Sequence, residues 1–139
     1  MPKNDKQPLK DGRPSPAVRL SLLWASLMGL YIYNDYFSMY LPGTVDDMMA
    51  GRIGPMGEAS GMVMLILSLI LAIPALMIFL SSAWPPVISR WSNIALGIVY
   101  TLIEVLTFFG SAPFYQMVVG FEILVTLTVI WTAWRWPRA

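Results

Sequence analysis

GMVMLILSLILAIPALMIFLSSA, residues 61–83, decides the fold, because it holds no charged side chain from end to end. About 20 apolar residues cross the ~30 Å hydrocarbon core of a bilayer as an α-helix. In lipid the backbone must satisfy its own hydrogen bonds, which leaves only helices and closed barrels. This stretch is too long and too continuously apolar for a barrel strand, so it is predicted to be a membrane helix. Pro74 lies inside it; membrane helices tolerate proline there, and a kink is expected.

Working outward, three further apolar segments occupy 17–41, 87–109 and 114–134. The first opens like a signal peptide, with a basic start and an apolar core. It is too long for one and lacks a small-x-small cleavage site, so it reads as a retained helix. Ahead of it, MPKNDKQPLKDGRPSP (1–16) is polar and rich in Pro, Lys and Asp. It cannot bury enough apolar surface to order itself and reads as a flexible tail. The connection PGTVDDMMAGRIGPMGEAS (42–60) is the one substantial loop, with a short interfacial helix expected at 45–50 between its Gly and Pro breakers. GSAP (110–113) is a tight turn, which makes its flanking helices antiparallel neighbours.

Composition agrees. Of 139 residues, 57% are hydrophobic and 12% charged, against about a quarter charged in a soluble domain. The fold class is therefore all-α membrane protein: an antiparallel four-transmembrane-helix bundle over 17–139 behind the 1–16 tail. Its first partner is the lipid bilayer. The chain has no cysteine and no histidine, which removes disulfides, thiol chemistry, Cys/His zinc sites and haem ligation by either residue. No cofactor is expected. The basic residues form no dense patch for phosphates, so no nucleic-acid partner is expected either.

Orientation follows from those basic residues. Lys3, Lys6, Lys10, Arg13, Arg19, Arg90, Arg135 and Arg138 fall on one side of the predicted bundle and only Arg52 on the other, eight against one. Both termini are expected to face the cytoplasm, in a bacterial inner membrane. Trp84, Trp91, Trp131, Trp134 and Trp136 cluster on the cytoplasmic side; Tyr36, Tyr40 and Tyr115 lie towards the outer face.

Three acids lie within the segments: Asp35, Glu104 and Glu122. At 1.5 Å per residue they sit roughly 8–14 Å below the outer ends of their helices, in one layer. No Lys or Arg shares that depth. Helical phase groups Asn93, Gly97, Tyr100, Thr101, Glu104 and Thr107 on the third segment, and Tyr115, Glu122, Thr126 and Ala133 on the fourth. On the first it groups Ser21, Ala25, Met28, Gly29 and Asp35, with Tyr31 beside them. Gly61, Ser68, Ala72 and Ala75 form a small-residue stripe on the second. All four stripes are expected to face inward, since small residues let helices approach and polar ones bond across the interface. An unpaired carboxylate costs about 2.5–3.5 kcal/mol at the centre of a membrane helix, and three together repel. At least one is expected to be protonated at neutral pH, sharing hydrogen bonds with Tyr31, Tyr100 or Asn34.

Two readings of the acids stand side by side. Intramembrane acids mark proton and cation paths, which makes Asp35, Glu104 and Glu122 candidate cation- or proton-binding residues, tuned or lined by Tyr31, Asn34, Tyr100, Thr101 and Tyr115. The other reading is interhelical glue that fixes register. The spacing Tyr31-x3-Asp35 recurs as Tyr100-x3-Glu104, with Trp24 and Trp91 about three turns before the acids, which raises the idea of a duplicated hairpin. Asp46 and Asp47, with Glu58 near, could hold a divalent cation but read better as a solvated loop. The methionines read as gap-filling rather than soft-metal ligands. No catalytic motif emerges, so no catalytic residue and no enzyme activity are expected.

LLWASLMGLYIYNDYFSMYLPG (22–43) and AIPALMIFLSSAWPPVISRWSNIALGIVYTLIE (72–104) resemble an uncharacterised family of small bacterial four-helix integral membrane proteins. The features that carry the resemblance are the Tyr-Asp-Tyr-Phe end of the first helix with its Pro-Gly, the Ile-Pro of the second, and the Arg-Trp-x-Asn entry to the third. It implies four spans and supplies no activity. Small multidrug-type transporters share the four-helix architecture and an intramembrane acid, but there the acid lies in the first helix and two chains combine to form the path, whereas here three acids are spread over three helices. Four-helix quinone-linked subunits hold haem in a way that a chain without His or Cys cannot. Two functions remain as expectations. One is proton- or cation-coupled transport of a small solute through an acid-lined core. The other is a non-catalytic subunit whose outer surface meets a second copy or a membrane-complex partner.

Overall fold

The computed structural model describes residues 12–137. Among the described residues there are five α-helices, α1 (Pro16–Ser38), α2 (Thr44–Met49), α3 (Gly61–Ala83), α4 (Pro86–Phe108) and α5 (Pro113–Trp134), with a 3-10 turn at Gly54–Met56. No strand occurs among the described residues; Arg52 and Glu58 form an isolated bridge in the loop. Helices α1, α3, α4 and α5 are each long and apolar enough to cross a membrane, which makes this a multi-pass membrane protein. The expected flexible tail falls largely on residues 1–11, outside the described part.

Local chemistry sets the boundaries. Ser15 caps α1 by accepting from the Val18 amide, and Ser60 caps α3 by accepting from the Val63 amide, each satisfying one orphan donor of a first turn. Pro16, Pro86 and Pro113 open α1, α4 and α5, where a missing N–H costs nothing. Helix α1 stops at Ser38, short of the expected 41. Pro42 disfavours helix at the residue before it, Ser38 Oγ turns back onto the Asp35 carbonyl at 2.7 Å, and Gly43 takes φ +85° to start α2. Gly110, at φ +84°, reverses the chain between α4 and α5; only glycine enters that region freely.

The four long helices form a ring. Helix α1 packs against α3 and α5, α4 packs against α5, and α4 meets α3 more thinly. Consecutive spans are thus neighbours, as short antiparallel connections require. The apolar core holds Leu20, Trp24 and Leu27 of α1, Met77 of α3, Ile94 and Tyr100 of α4, and Val129 and Ala133 of α5.

Two helices are turned differently from expectation. On α1 the buried positions are Leu20, Trp24, Leu27 and Asn34, with Tyr31 half-buried. This is the expected stripe displaced by one residue, about 100° of rotation. Ala25 and Asp35 are consequently exposed. The physical reason is Trp24. Its large indole fills the bundle centre and its N–H donates to Asn93 Oδ1 at 2.6 Å, a bond unavailable in lipid.

On α3 the buried residues are Pro74, Met77 and Ser81, and Gly61, Ser68, Ala72 and Ala75 face outward. Here Pro74 sets the rotation. Proline lacks the N–H that would serve the carbonyl four residues earlier, and that carbonyl, Ile70, accepts from Tyr100 Oη of α4 at 2.6 Å. Turned to the lipid, it would have no donor.

Candidate functional site

Two polar layers are stacked inside the bundle. The first gathers at the α3–α4 turn. Asn93 Oδ1 accepts from Trp24 Nε1 and from Ser81 Oγ (3.1 Å). Asn93 Nδ2 donates to the Ser89 carbonyl at 2.8 Å, and Ser89 Oγ donates to the Ser81 carbonyl at 2.7 Å. All four residues are buried. At the same end, Arg90 donates to the Ala133 and Trp134 carbonyls at the end of α5 (3.2 and 3.4 Å), and its guanidinium lies over the rings of Trp91 and Trp134. Arg135 lies over Trp131 at 4.1 Å. These are favourable cation–π distances.

The second layer carries the acids. Glu104 of α4 and Glu122 of α5 are 2% and 3% exposed. Tyr31 Oη donates to Glu104 Oε1 at 2.7 Å, and Thr126 Oγ1 donates to Glu104 Oε2 at 2.8 Å, so both carboxyl oxygens have donors. Thr101 Oγ1 lies 2.8 Å from Thr126 Oγ1 and extends the chain along α4. Glu122 has one partner, Asn34 Nδ2, at 3.4 Å, a long bond. Asn34 is 2% exposed and its Oδ1 has no partner. Between the layers lies an apolar plug in which Trp24 meets Tyr100 edge to face at 5.8 Å.

The structure therefore brings together Tyr31, Asn34, Thr101, Glu104 and Glu122. It separates two of the expected members. Asp35 is exposed: Asn34 and Asp35 are successive on a helix, about 100° apart, and with Tyr31 on Glu104 it is Asn34 that faces inward. Asp35 still lies within electrostatic reach of Glu122 and of the half-buried Tyr115, so it stands at the edge of the layer. Tyr100 tunes no carboxyl, because its hydroxyl is committed to the Ile70 carbonyl.

The duplicated-hairpin pattern has no counterpart in environment. Tyr31 reaches a carboxyl across the bundle while Tyr100 reaches a backbone carbonyl, and Trp24 is buried while Trp91 is exposed. In the loop, Asp47 takes Arg52 as a partner through Nε (3.0 Å) and Nη2 (2.5 Å). Among the described residues no group of three or more Asp or Glu gathers to hold a metal ion.

Thr126 is the residue that sequence reasoning undervalued. It joins the two acid-bearing helices, and the signal was its place one turn after Glu122 on the same stripe. The Trp24–Asn93 pairing had no sequence signal, since register between helices far apart in the chain is not written in either of them.

A model of a family of unknown function, DUF6326, matches residues 14–139. The chain belongs to this family. The DUF6326 match spans all four membrane helices and both polar layers, so the two buried acids lie within the family's shared region. No curated protein and no solved structure matches the chain.

Proposed function

We propose that this DUF6326 protein moves a proton or small cation, coupled to a small solute, through the acid layer of its bundle. The single observation that supports this is the meeting of Glu104 and Glu122 inside the membrane segments, two buried carboxyls from neighbouring helices with no Lys or Arg at their depth among the described residues. Intramembrane acids that face a bundle interior mark ion and proton paths. Glu122 is the binding carboxyl, Glu104 its neighbour, and Asp35 the acid at the rim through which ions enter; Tyr31, Asn34 and Tyr115 line the way. The protein is read as non-catalytic, in a bacterial inner membrane, with both termini in the cytoplasm.

The test is flux in proteoliposomes loaded with a pH-sensitive dye. Wild-type protein should dissipate an imposed proton or cation gradient, and Glu122→Gln, which keeps shape and removes ionisation, should reduce the rate at least about tenfold, as expected for loss of a charged partner worth 1.5 kcal/mol or more. Absence of wild-type flux across a panel of monovalent cations and protons refutes transport.

A second reading has its own support. Gly61, Ser68, Ala72 and Ala75 form a small-residue face on the exposed side of α3, and such faces let membrane helices approach closely. In this reading the protein is a membrane subunit, joined through α3 to a second copy or another chain, and the acid layer fixes its own fold. Cross-linking from α3 positions with no gradient dissipation would favour it.

A further inference from the structure

The acid layer is asymmetric in its hydrogen bonding. Both Glu104 oxygens accept short bonds, from Tyr31 and Thr126. Across from it, Glu122 has only the 3.4 Å contact from Asn34 Nδ2. The other end of that same planar amide, Asn34 Oδ1, is buried with no partner. Buried polar atoms left without a partner are rare in native proteins and call for an explanation. Two others are found among the described residues, Ser21 Oγ and Thr132 Oγ1, and both lie outside the acid layer. Asn34 Oδ1 is an acceptor only and stands beside a carboxyl that is itself short of donors.

Every vacancy here is thus an oxygen lone pair, and the nearest formal charges are negative. The groups beside Glu122 are Tyr31 and Asn34 from α1, Glu104 from α4, and Tyr115 on its own helix, with Asp35 of α1 within electrostatic reach from the rim; α3 contributes no ionisable residue. Water could serve the lone pairs, and a proton on Glu122 could serve Asn34 Oδ1; a cation serves the lone pairs and balances the charge when the carboxyl is ionised. A divalent ion would want several converging carboxylates, and among the described residues no group of three or more gathers. Both side chains are nearly inaccessible, so an occupant is no larger than a small ion or a water molecule.

We propose that Glu122 and Asn34 form a binding position for a partly dehydrated monovalent cation of Na⁺ size, with Glu104 as its fixed counter-charge. This rests on the acid layer being a working site, and it names the ion class and the two ligating residues. Tyr31 and Thr126 are positioning residues, since each donates to one oxygen of Glu104 and so orients its carboxyl.

The experiment uses the full chain in nanodiscs at fixed pH and ionic strength, following thermal unfolding by tryptophan fluorescence as NaCl replaces N-methylglucamine chloride. An ion that binds only the folded state raises Tm in a saturable manner. Wild-type protein should show that rise with Na⁺ and a smaller one with K⁺. Glu122→Gln and Asn34→Leu should each move the half-effect to at least about tenfold higher Na⁺. Asp46→Asn, in the exposed loop, should leave it unchanged. Should either core variant fail to fold, the other decides.

Equal Tm in Na⁺ and N-methylglucamine overturns the proposal and assigns the position to water or a proton. A Na⁺ response that survives Glu122→Gln also overturns it, as does a larger shift with methylammonium than with Na⁺. Binding without flux would keep the site and remove transport; flux without a Na⁺ response would do the reverse.

Discussion

Tyr100 and Pro74 state the problem of a membrane interior at the scale of single residues. Pro74 leaves the Ile70 carbonyl without its helical donor, and Tyr100 Oη supplies one from the next helix at 2.6 Å. Tyr100→Phe should orphan that carbonyl and lower stability by about 1–3 kcal/mol, the cost of a buried unsatisfied acceptor. Pro74→Ala restores the helical N–H, so in that background the same change should cost much less. A double-mutant cycle on thermal unfolding in detergent measures the coupling; additive effects would mean the tyrosine hydroxyl does not serve the carbonyl. None of this pairing was legible in the sequence. Tyr100 lies on the polar stripe of its own helix, a place that points to the acids, while its partner is a backbone atom that no residue type announces. Asn34 and Asp35 teach a related lesson. They are adjacent polar residues on a helix, sequence rank favours the charged one as functional, and the fold buries the amide instead.

At the scale of the helix, legibility depended on how much polar contrast each face carried. Helices α4 and α5 place Asn93, Glu104, Glu122 and Thr126 on single faces among aliphatic residues, and those faces are buried as their phase implied. Helices α1 and α3 offered weaker signals, a few small residues against apolar neighbours. Their rotation is set by Trp24 and Pro74, which must reach particular partners on α4. Spans and turns were readable because length and hydropathy are properties of one segment; rotation depends on what stands opposite.

Gly97 tests the tightest helix pair. A β-carbon there would lie 2.7 Å from Ile130 Cγ1, so α4 and α5 must separate or Ile130 must move. Gly97→Ala should destabilise by about 1–3 kcal/mol through overpacking, and adding Ile130→Ala should recover part of it. Because Thr101 and Thr126 bridge the same pair at 2.8 Å, the single variant should also loosen the Glu104 layer and raise amide exchange along α4 near Glu104. Unchanged stability and exchange would mean the pair has slack that the packing does not reveal.

Over the whole molecule, polar content is concentrated in two levels separated by the Trp24–Tyr100 contact and its aliphatic neighbours. In this form the acid layer has no polar continuity with the Asn93 layer, so a through-going path requires that plug to rearrange. The two ends are also chemically unequal. One carries Arg90 bound to the last carbonyls of α5, with Trp91, Trp131, Trp134 and Arg135 around it. The other carries Tyr33 stacked on Phe37 and Tyr36 edge to face with Tyr40, where the bond to Tyr36 at 3.0 Å pushes the exposed Tyr40 phenol above its ordinary range. Basic residues are retained on the cytoplasmic side during insertion, and a guanidinium that also closes a helix end and two indoles holds its end of the bundle at the interface. The absence of native cysteine makes the resulting topology directly measurable. Glu58→Cys should react with a membrane-impermeant maleimide in intact cells, and Gly12→Cys only after permeabilisation. The reverse pattern would place the acid layer nearer the cytoplasm, so that the rim at Asp35 would take up its ion from inside the cell.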